Sequence, residues 1–251
     1  MPCPLSPFRR ALPLAGLLLA ASPSHAVIVL GAGDQVNLAT IFAAGSDRLV
    51  QIDDKVFNFR SWTSSQFTMS DFSIIGFIST STNQWGLHNV GFDITGPMGD
   101  TTPGNGAGHE MNLQYQVAVS AEAYARDVRL CDTHLLMNGI AAGGGSYARV
   151  DETVIALDTN TYLGTLSAYA NGGTTPRVKL EDVKDFCEIW KNSHGWRAFE
   201  VNKDLKFFAR GANDISACSF VRQEFSQILA PAPGAAALVA LSGLMTRRRR
   251  A

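Results

Sequence analysis

Residues 111–119 read MNLQYQVAV, and the reading of this stretch decides the fold. Met111, Leu113, Tyr115, Val117 and Val119 are apolar, while Asn112, Gln114, Gln116 and Ala118 between them are polar or small. A period of two puts one set on each face of an extended chain, which predicts a β-strand with one dry side and one wet side. Val90, Phe92 and Ile94 alternate in the same way, as do Ile215, Ala217, Ser219 and Val221. Residues 67–78 (FTMSDFSIIGFI) and 197–209 (RAFEVNKDLKFFA) are rich in aromatic and branched side chains and also read as strands. Turn chemistry separates these runs at Gly96-Pro97, Gly104-Asn105-Gly106, Gly143-Gly144-Gly145 and Asn171-Gly172-Gly173. Residues 179–192 (KLEDVKDFCEIWKN) fit an amphipathic helix and a strand equally well. Working outward, residues 27–229 are expected to form one all-β domain, an antiparallel β-sandwich of jelly-roll-like or Ig-like type. About 200 residues suffice for a single core of that kind.

Composition narrows the function. The chain has 251 residues, 46% of them hydrophobic, with a formal net charge of -1. That is too apolar for a disordered chain. Six of the 21 basic residues, Arg9, Arg10, Arg247, Arg248, Arg249 and Arg250, sit at the two ends, leaving a body with a charge of about -7. An acidic body argues against nucleic acid, whose binding calls for a basic stripe.

Both ends carry addresses. Residues 1–26 have the parts of a signal peptide: a start closing on Arg9-Arg10, the apolar run 11–21 (ALPLAGLLLAA), and small residues Ser24 and Ala26 before a cut expected after Ala26. The flanks of the arginine pair favour the ordinary secretory route over twin-arginine export. At the other end Pro231-Ala232-Pro233-Gly234 breaks regular structure, because proline lacks an N–H and fixes φ. Residues 235–245 (AAALVALSGLM) follow without a charge, and Arg247, Arg248, Arg249 and Arg250 close the chain. Eleven helical residues rise only about 17 Å against about 30 Å of hydrocarbon. A short hydrophobic helix in segment 230–251 would reach into a bilayer with its arginines on the cytoplasmic side and the body translocated. The expected architecture is thus a signal helix, the sandwich, and this tail.

The order of proline motif, apolar run and terminal arginines resembles a PEP-CTERM sorting signal, the C-terminal address of bacterial exported proteins that a membrane-embedded exosortase handles. Pro231, Ala232, Pro233 and Gly234 match the motif, 235–245 the apolar segment, and Arg247, Arg248, Arg249 and Arg250 the basic stop; Ala232 stands where the family's glutamate is usual. Within the body, 52–57 (IDDKVF), 150–154 (VDETV), 199–205 (FEVNKDL) and 215–228 are similar to strings that precede such tails. The resemblance implies an exported β-rich domain and brings no catalytic residue. Its implied partners are signal peptidase, an exosortase-like enzyme and, through the tail, the membrane.

Cys131, Cys187 and Cys218 remain after signal cleavage, and an oxidising compartment permits one disulfide, with Cys187–Cys218 the favoured pair. No C-x-x-C or H-x-x-x-H spacing suggests zinc, and no metal or other cofactor is expected. The loop 99–108 with His109-Glu110, Asp100 and Asn105 offers oxygens to calcium, yet a polar hairpin loop explains the same residues. Asp53-Asp54, Asp151-Glu152 and Glu181-Asp182 are sequence neighbours, which on a strand point to opposite faces and make no catalytic dyad. No nucleophile elbow or G-x-G-x-x-G loop is present. Trp62, Trp85, Trp190 and Trp196 suit a sugar platform or a partly buried core. The expectation is a non-enzymatic, exported cell-envelope or extracellular β-domain, structural or adhesive in a surface layer or matrix. A carbohydrate-binding module with extracellular polysaccharide as partner is the alternative, and an envelope hydrolase comes after it.

Overall fold

The computed structural model describes residues 27–45, 48–192 and 194–230. The signal segment with Ala26, and the tail with Pro231, Ala232, Pro233, Gly234 and the four terminal arginines, lie outside the described residues. No helix among the described residues is long and apolar enough to cross a membrane.

The chain runs β1 (Ile28–Leu30), β2 (Gln35–Asn37), α1 (Leu38–Ala43), β3 (Leu49–Ile52), β4 (Lys55–Ser64), β5 (Ser73–Thr82), β6 (His88–Gly99) and β7 (His109–Val119). It continues with α2 (Ala121–Ala125), β8 (Val128–Leu130), β9 (Asp132–Ala142), β10 (Tyr147–Ala156), β11 (Thr161–Asn171), β12 (Arg177–Lys179) and β13 (Glu181–Asp185). The last elements are α3 (Phe186–Ile189), β14 (Ala198–Phe208), β15 (Ile215–Phe225) and β16 (Gln227–Leu229). Eight strands form one sheet in the order β1-β3-β4-β7-β14-β10-β11-β12, and six form the other in the order β13-β9-β15-β6-β5-β2. A ribbon of β16 and β8 stands beside them. The pairs are antiparallel except β1 with β3.

The two sheets pack face to face as a β-sandwich. In β7 the alternation does what its sequence demands: Met111, Leu113, Tyr115, Val117 and Val119 are buried and the intervening residues face out. Rings from the two sheets meet between them. Phe92 of β6 lies 5.1 Å from Phe57 of β4 and 5.2 Å from Tyr115, both edge-on. Phe225 of β15 approaches Phe57 at 6.1 Å and Phe199 of β14 at 6.3 Å. Each buried aromatic removes roughly 150–250 Å² from water, so this cluster dominates the core. At the β3–β4 hairpin Asp53 takes φ +50°, the left-handed conformation that a two-residue turn requires and that Asp tolerates.

Three local readings are corrected. The stretch 179–192 is neither one helix nor one strand: β13 gives way to the single helical turn α3, capped by the Asp185 carboxylate accepting from Glu188 N–H at 2.8 Å. Gly96-Pro97 is not a chain reversal, since β6 continues through it to Gly99. In β15 a bulge between Cys218 and Val221 changes the phase. Ile215 and Ser219 are exposed and Val221 is buried, so the alternation beginning at Ile215 does not stay on one face.

The cysteine pairing also differs. Cys187 joins Cys131, not Cys218, with Cα atoms 5.2 Å apart. The reason is local backbone: the Cys131 carbonyl accepts from Phe186 N–H at 3.1 Å and Cys187 N–H at 3.3 Å, which holds α3 against the start of β9. Cys218 lies at the β15 bulge, where its thiol donates to the Phe220 carbonyl and burial pushes its pKa up to about 11.

Candidate functional site

The outward positions of the eight-stranded sheet make polar rows that cross the strands. Because the strands are antiparallel and in register, residues far apart in sequence become direct neighbours. Lys206 of β14 stands between Glu110 of β7 and Arg149 of β10, and Arg149 in turn faces Tyr169 of β11. The next row holds Asn112, Asp204, Asp151 and Ser167, and the row after it Gln114, Asn202, Thr153 and Thr165.

These rows are internally bonded. Arg149 Nε lies 2.6 Å from Asp151 Oδ2, and Ser167 donates its hydroxyl to Asp151 Oδ1 at 2.7 Å. Lys206 Nζ lies 2.8 Å from Asp204 Oδ2. The hydrogen bond to its aspartate raises the pKa of each cation, so both stay charged. Further along β14, Glu200 receives Gln114 Nε2 on one oxygen at 3.0 Å and Gln116 Nε2 on the other at 3.1 Å. At the opposite end Tyr147 and Phe208 pair at 5.7 Å between ring centroids.

Two depressions open on this face. One of about 570 Å³ is lined by Ser146, Tyr147, Arg149, Asp151, Asn171 and Lys206, together with two glycines. A second of about 150 Å³ lies across β14, between Ser64, Glu110, Asn112 and Asp204. The rim of the larger one is pinned by Asp214, which accepts the Ser146 hydroxyl at 2.9 Å and Gly211 N–H at 2.8 Å. Gly143 supports that contact with φ +96°, and a Cβ there would lie 1.9 Å from the Asp214 carboxylate.

A surface of planar carboxylates and amides flanked by aromatic rings can hydrogen-bond adjacent hydroxyls and stack on apolar ring faces. Asp151 and Asp204 are direct cross-strand neighbours, but each is already engaged by a cation. They form an ion-paired cluster rather than two carboxylates free to flank a scissile bond.

The residues singled out from sequence fall elsewhere. In the 99–108 loop Asp100 spends its oxygens on Thr102 N–H and Ala209 N–H, and Asn105 Oδ1 accepts from Ala107 N–H. Those oxygens serve backbone N–H groups, of the loop itself and of the segment after β14, with His109 beside Asp100 at 3.6 Å. The tryptophans share no face: Trp62 packs on Phe72, Trp196 on Phe199, Trp190 donates to the Leu163 carbonyl, and Trp85 is on the β5–β6 loop. Asp151 and Glu152 do point to opposite faces, one outward and one fully buried. Cys131, Asp185 and Cys187 cluster closely enough to suggest a metal, yet the two sulfurs are bonded to each other.

No protein-family model matches the chain, and no curated protein sequence matches it. Among solved structures, TmCBM27, a carbohydrate-binding module studied for specific mannan recognition, is 10% identical over 76% of this chain and 95% of its own, with a TM-score of 0.26. A structure from work on promiscuous carbohydrate-binding modules of the β-sandwich superfamily is 11% identical over 66% of this chain and 56% of its own, with a TM-score of 0.21. A thermostable variant of the Cel12A cellulase of Rhodothermus marinus is 11% identical over 69% and 99%, with a TM-score of 0.22. Likenesses this slight carry no functional argument.

Proposed function

We propose that this chain is an exported, non-catalytic β-sandwich of the cell envelope or matrix whose eight-stranded sheet binds extracellular polysaccharide on its outer face. The carrying observation is the polar row Glu110–Lys206–Arg149–Tyr169, with its neighbouring row and the Tyr147–Phe208 pair, running across four strands beside two depressions. A linear sugar chain fits such a track, since its hydroxyls take planar hydrogen-bonding groups and its ring faces take aromatics. Binding of this kind makes the structural or adhesive role concrete: the domain would hold matrix polymer while the tail, sorted by an exosortase-like enzyme, fixes its place in the envelope. The interleaved order β4-β7-β14-β10 favours a jelly-roll-like carrier over an Ig-like one.

Glycan-array screening followed by titration with the best polysaccharide tests the reading. Tyr147→Ala is expected to weaken binding about tenfold or more, a loss of roughly 1.4 kcal/mol, while Trp85→Ala on the loop is expected to leave it unchanged. Equal binding by wild type and Tyr147→Ala, or none to any glycan, would sink the sheet-face assignment.

A further inference from the structure

Between the sheets lie polar side chains that a hydrophobic core does not need. The inward positions of β14 run Phe199, Val201, Lys203, Leu205 and Phe207, and those of β10 include Val150, Glu152 and Val154. Lys203 and Glu152 are direct cross-strand neighbours and both are fully buried. From the facing sheet, β15 contributes Gln223 and β9 contributes Thr133, also buried. Their polar atoms close a ring. Lys203 Nζ donates to Glu152 Oε2 and to Gln223 Oε1, each at 2.6 Å. Gln223 Nε2 donates to Thr133 Oγ1, and the Thr133 hydroxyl lies 3.4 Å from both Glu152 Oε1 and the Glu224 carbonyl, sharing its proton between them.

As a structural device this ring is expensive, because a buried ion pair is often no more stabilising than apolar residues of the same volume. As a reaction centre it is complete: an amine, a carboxamide, a carboxylate touching the amine, and a hydroxyl linking that carboxylate to the amide nitrogen. We propose that Lys203 and Gln223 become joined by an intramolecular amide bond, with Glu152 and Thr133 moving the protons.

The amide carbon is one C=O bond of about 1.23 Å from Oε1, which places it within about 3.8 Å of Nζ. A small rotation of the glutamine amide brings it to the roughly 3–3.5 Å of a near-attack geometry. Burial also pushes the Lys203 pKa down, favouring the free amine. Glu152 takes one proton from the ammonium, and Nζ adds to the Gln223 carbonyl carbon. Thr133 passes its hydroxyl proton to Nε2 and regains one from Glu152. The bond from carbon to Nε2 breaks, ammonia leaves, and Glu152 takes the second proton from Nζ. The products are a secondary amide, a neutral glutamic acid and ammonia, and no oxidant or cofactor is consumed.

Lys55 supplies an internal comparison. Its buried Nζ meets Gln227 Oε1 and lies 3.1 Å from Asp54 Oδ1, but Gln227 Nε2 donates to the His88 carbonyl. Among the described residues no hydroxyl is bonded to Gln227 Nε2 to carry a proton to the leaving nitrogen, so this pair is expected to remain unlinked.

Tryptic mapping of the purified full chain under denaturing conditions decides the matter without a variant. The expected result is a branched peptide joining residues 198–206, uncleaved at Lys203, to the peptide that begins at Gln223. Branching is the readout, because a peptide with glutamine at its N-terminus loses ammonia by cyclisation alone. Glu152→Gln, which keeps the side-chain shape, should abolish the branch. Cleavage after Lys203 with no branched peptide overturns the proposal. So does a branch through Thr133 that hydroxylamine splits as an ester, or one that survives in folded Glu152→Gln protein. A branch at Lys55–Gln227 would overturn the role given to Thr133.

Discussion

His134 shows how a single side chain couples this fold to pH. Burial works against its charge, but Asp132, 3.3 Å away, outweighs burial by hydrogen bond and charge, with Glu224 and Glu181 adding to it, so its pKa is raised. A histidine that holds its proton more tightly when folded stabilises the fold fully below its unfolded pKa of about 6.5. That contribution is lost as pH rises through the folded value. Urea unfolding of wild type and His134→Gln is therefore expected to show a stability gap at about pH 5.5 that narrows by about pH 8. A gap that stays constant or widens would mean that Asp132 does not hold the proton. The inward lysine of β14 teaches a related lesson. The run 199–207 alternates cleanly, and Lys203 falls on the apolar phase between Val201 and Leu205. Parity alone would have flagged the buried cation, but the sequence reading did not single it out, and its partners Gln223 and Thr133 come from the other sheet and left no mark nearby in sequence.

Among the elements, β7 and β14 were legible because each lies inside the sheet, where pattern and burial agree, whereas β10, with Glu152 on its inward phase, was not picked out as a strand. The phase of β15 was not legible, since a bulge inserts residues without a change in composition. The outer-face rows were illegible for another reason: Glu110, Lys206, Arg149 and Tyr169 are neighbours only after three strand registers are fixed. The cysteines failed similarly, because Cys187 and Cys218 are close in sequence while the turn of α3 delivers Cys187 to Cys131. That bridge closes a span of 56 residues and anchors α3 beside the β13 edge of the six-stranded sheet. Cross-links of this kind typically contribute about 2–4 kcal/mol. Reductant, or the double change Cys131→Ala and Cys187→Ala, is expected to lower the unfolding free energy by about that amount, whereas Cys218→Ala should leave the bridge in place. An unchanged denaturation midpoint in reductant would show that the bridge adds nothing.

For the whole molecule, the decisive question is what happens beyond the last strand. β16 ends at Leu229, paired with β8, and its Gln227 is held by Lys55 from β4 and by the His88 carbonyl. Two residues later the proline motif begins, so a pull on the tail would reach a strand clamped to residues from far earlier in the chain. Such anchorage suits a domain that bears load between matrix and membrane. On the proposed topology the four terminal arginines hold the tail at the cytoplasmic face, since each would have to cross hydrocarbon for the tail to escape. Replacing Arg247, Arg248, Arg249 and Arg250 with serine should then shift the protein from the membrane fraction to the medium, leaving the unfolding midpoint of the β-domain unchanged. Mass spectrometry of the wild-type C-terminus separates the two fates of the tail: an end near Pro231 marks cleavage by a sorting enzyme, and an intact Ala251 marks a permanent anchor. Identical fractionation of the serine variant and wild type would remove the arginines from the mechanism and, with them, the assigned orientation of the chain.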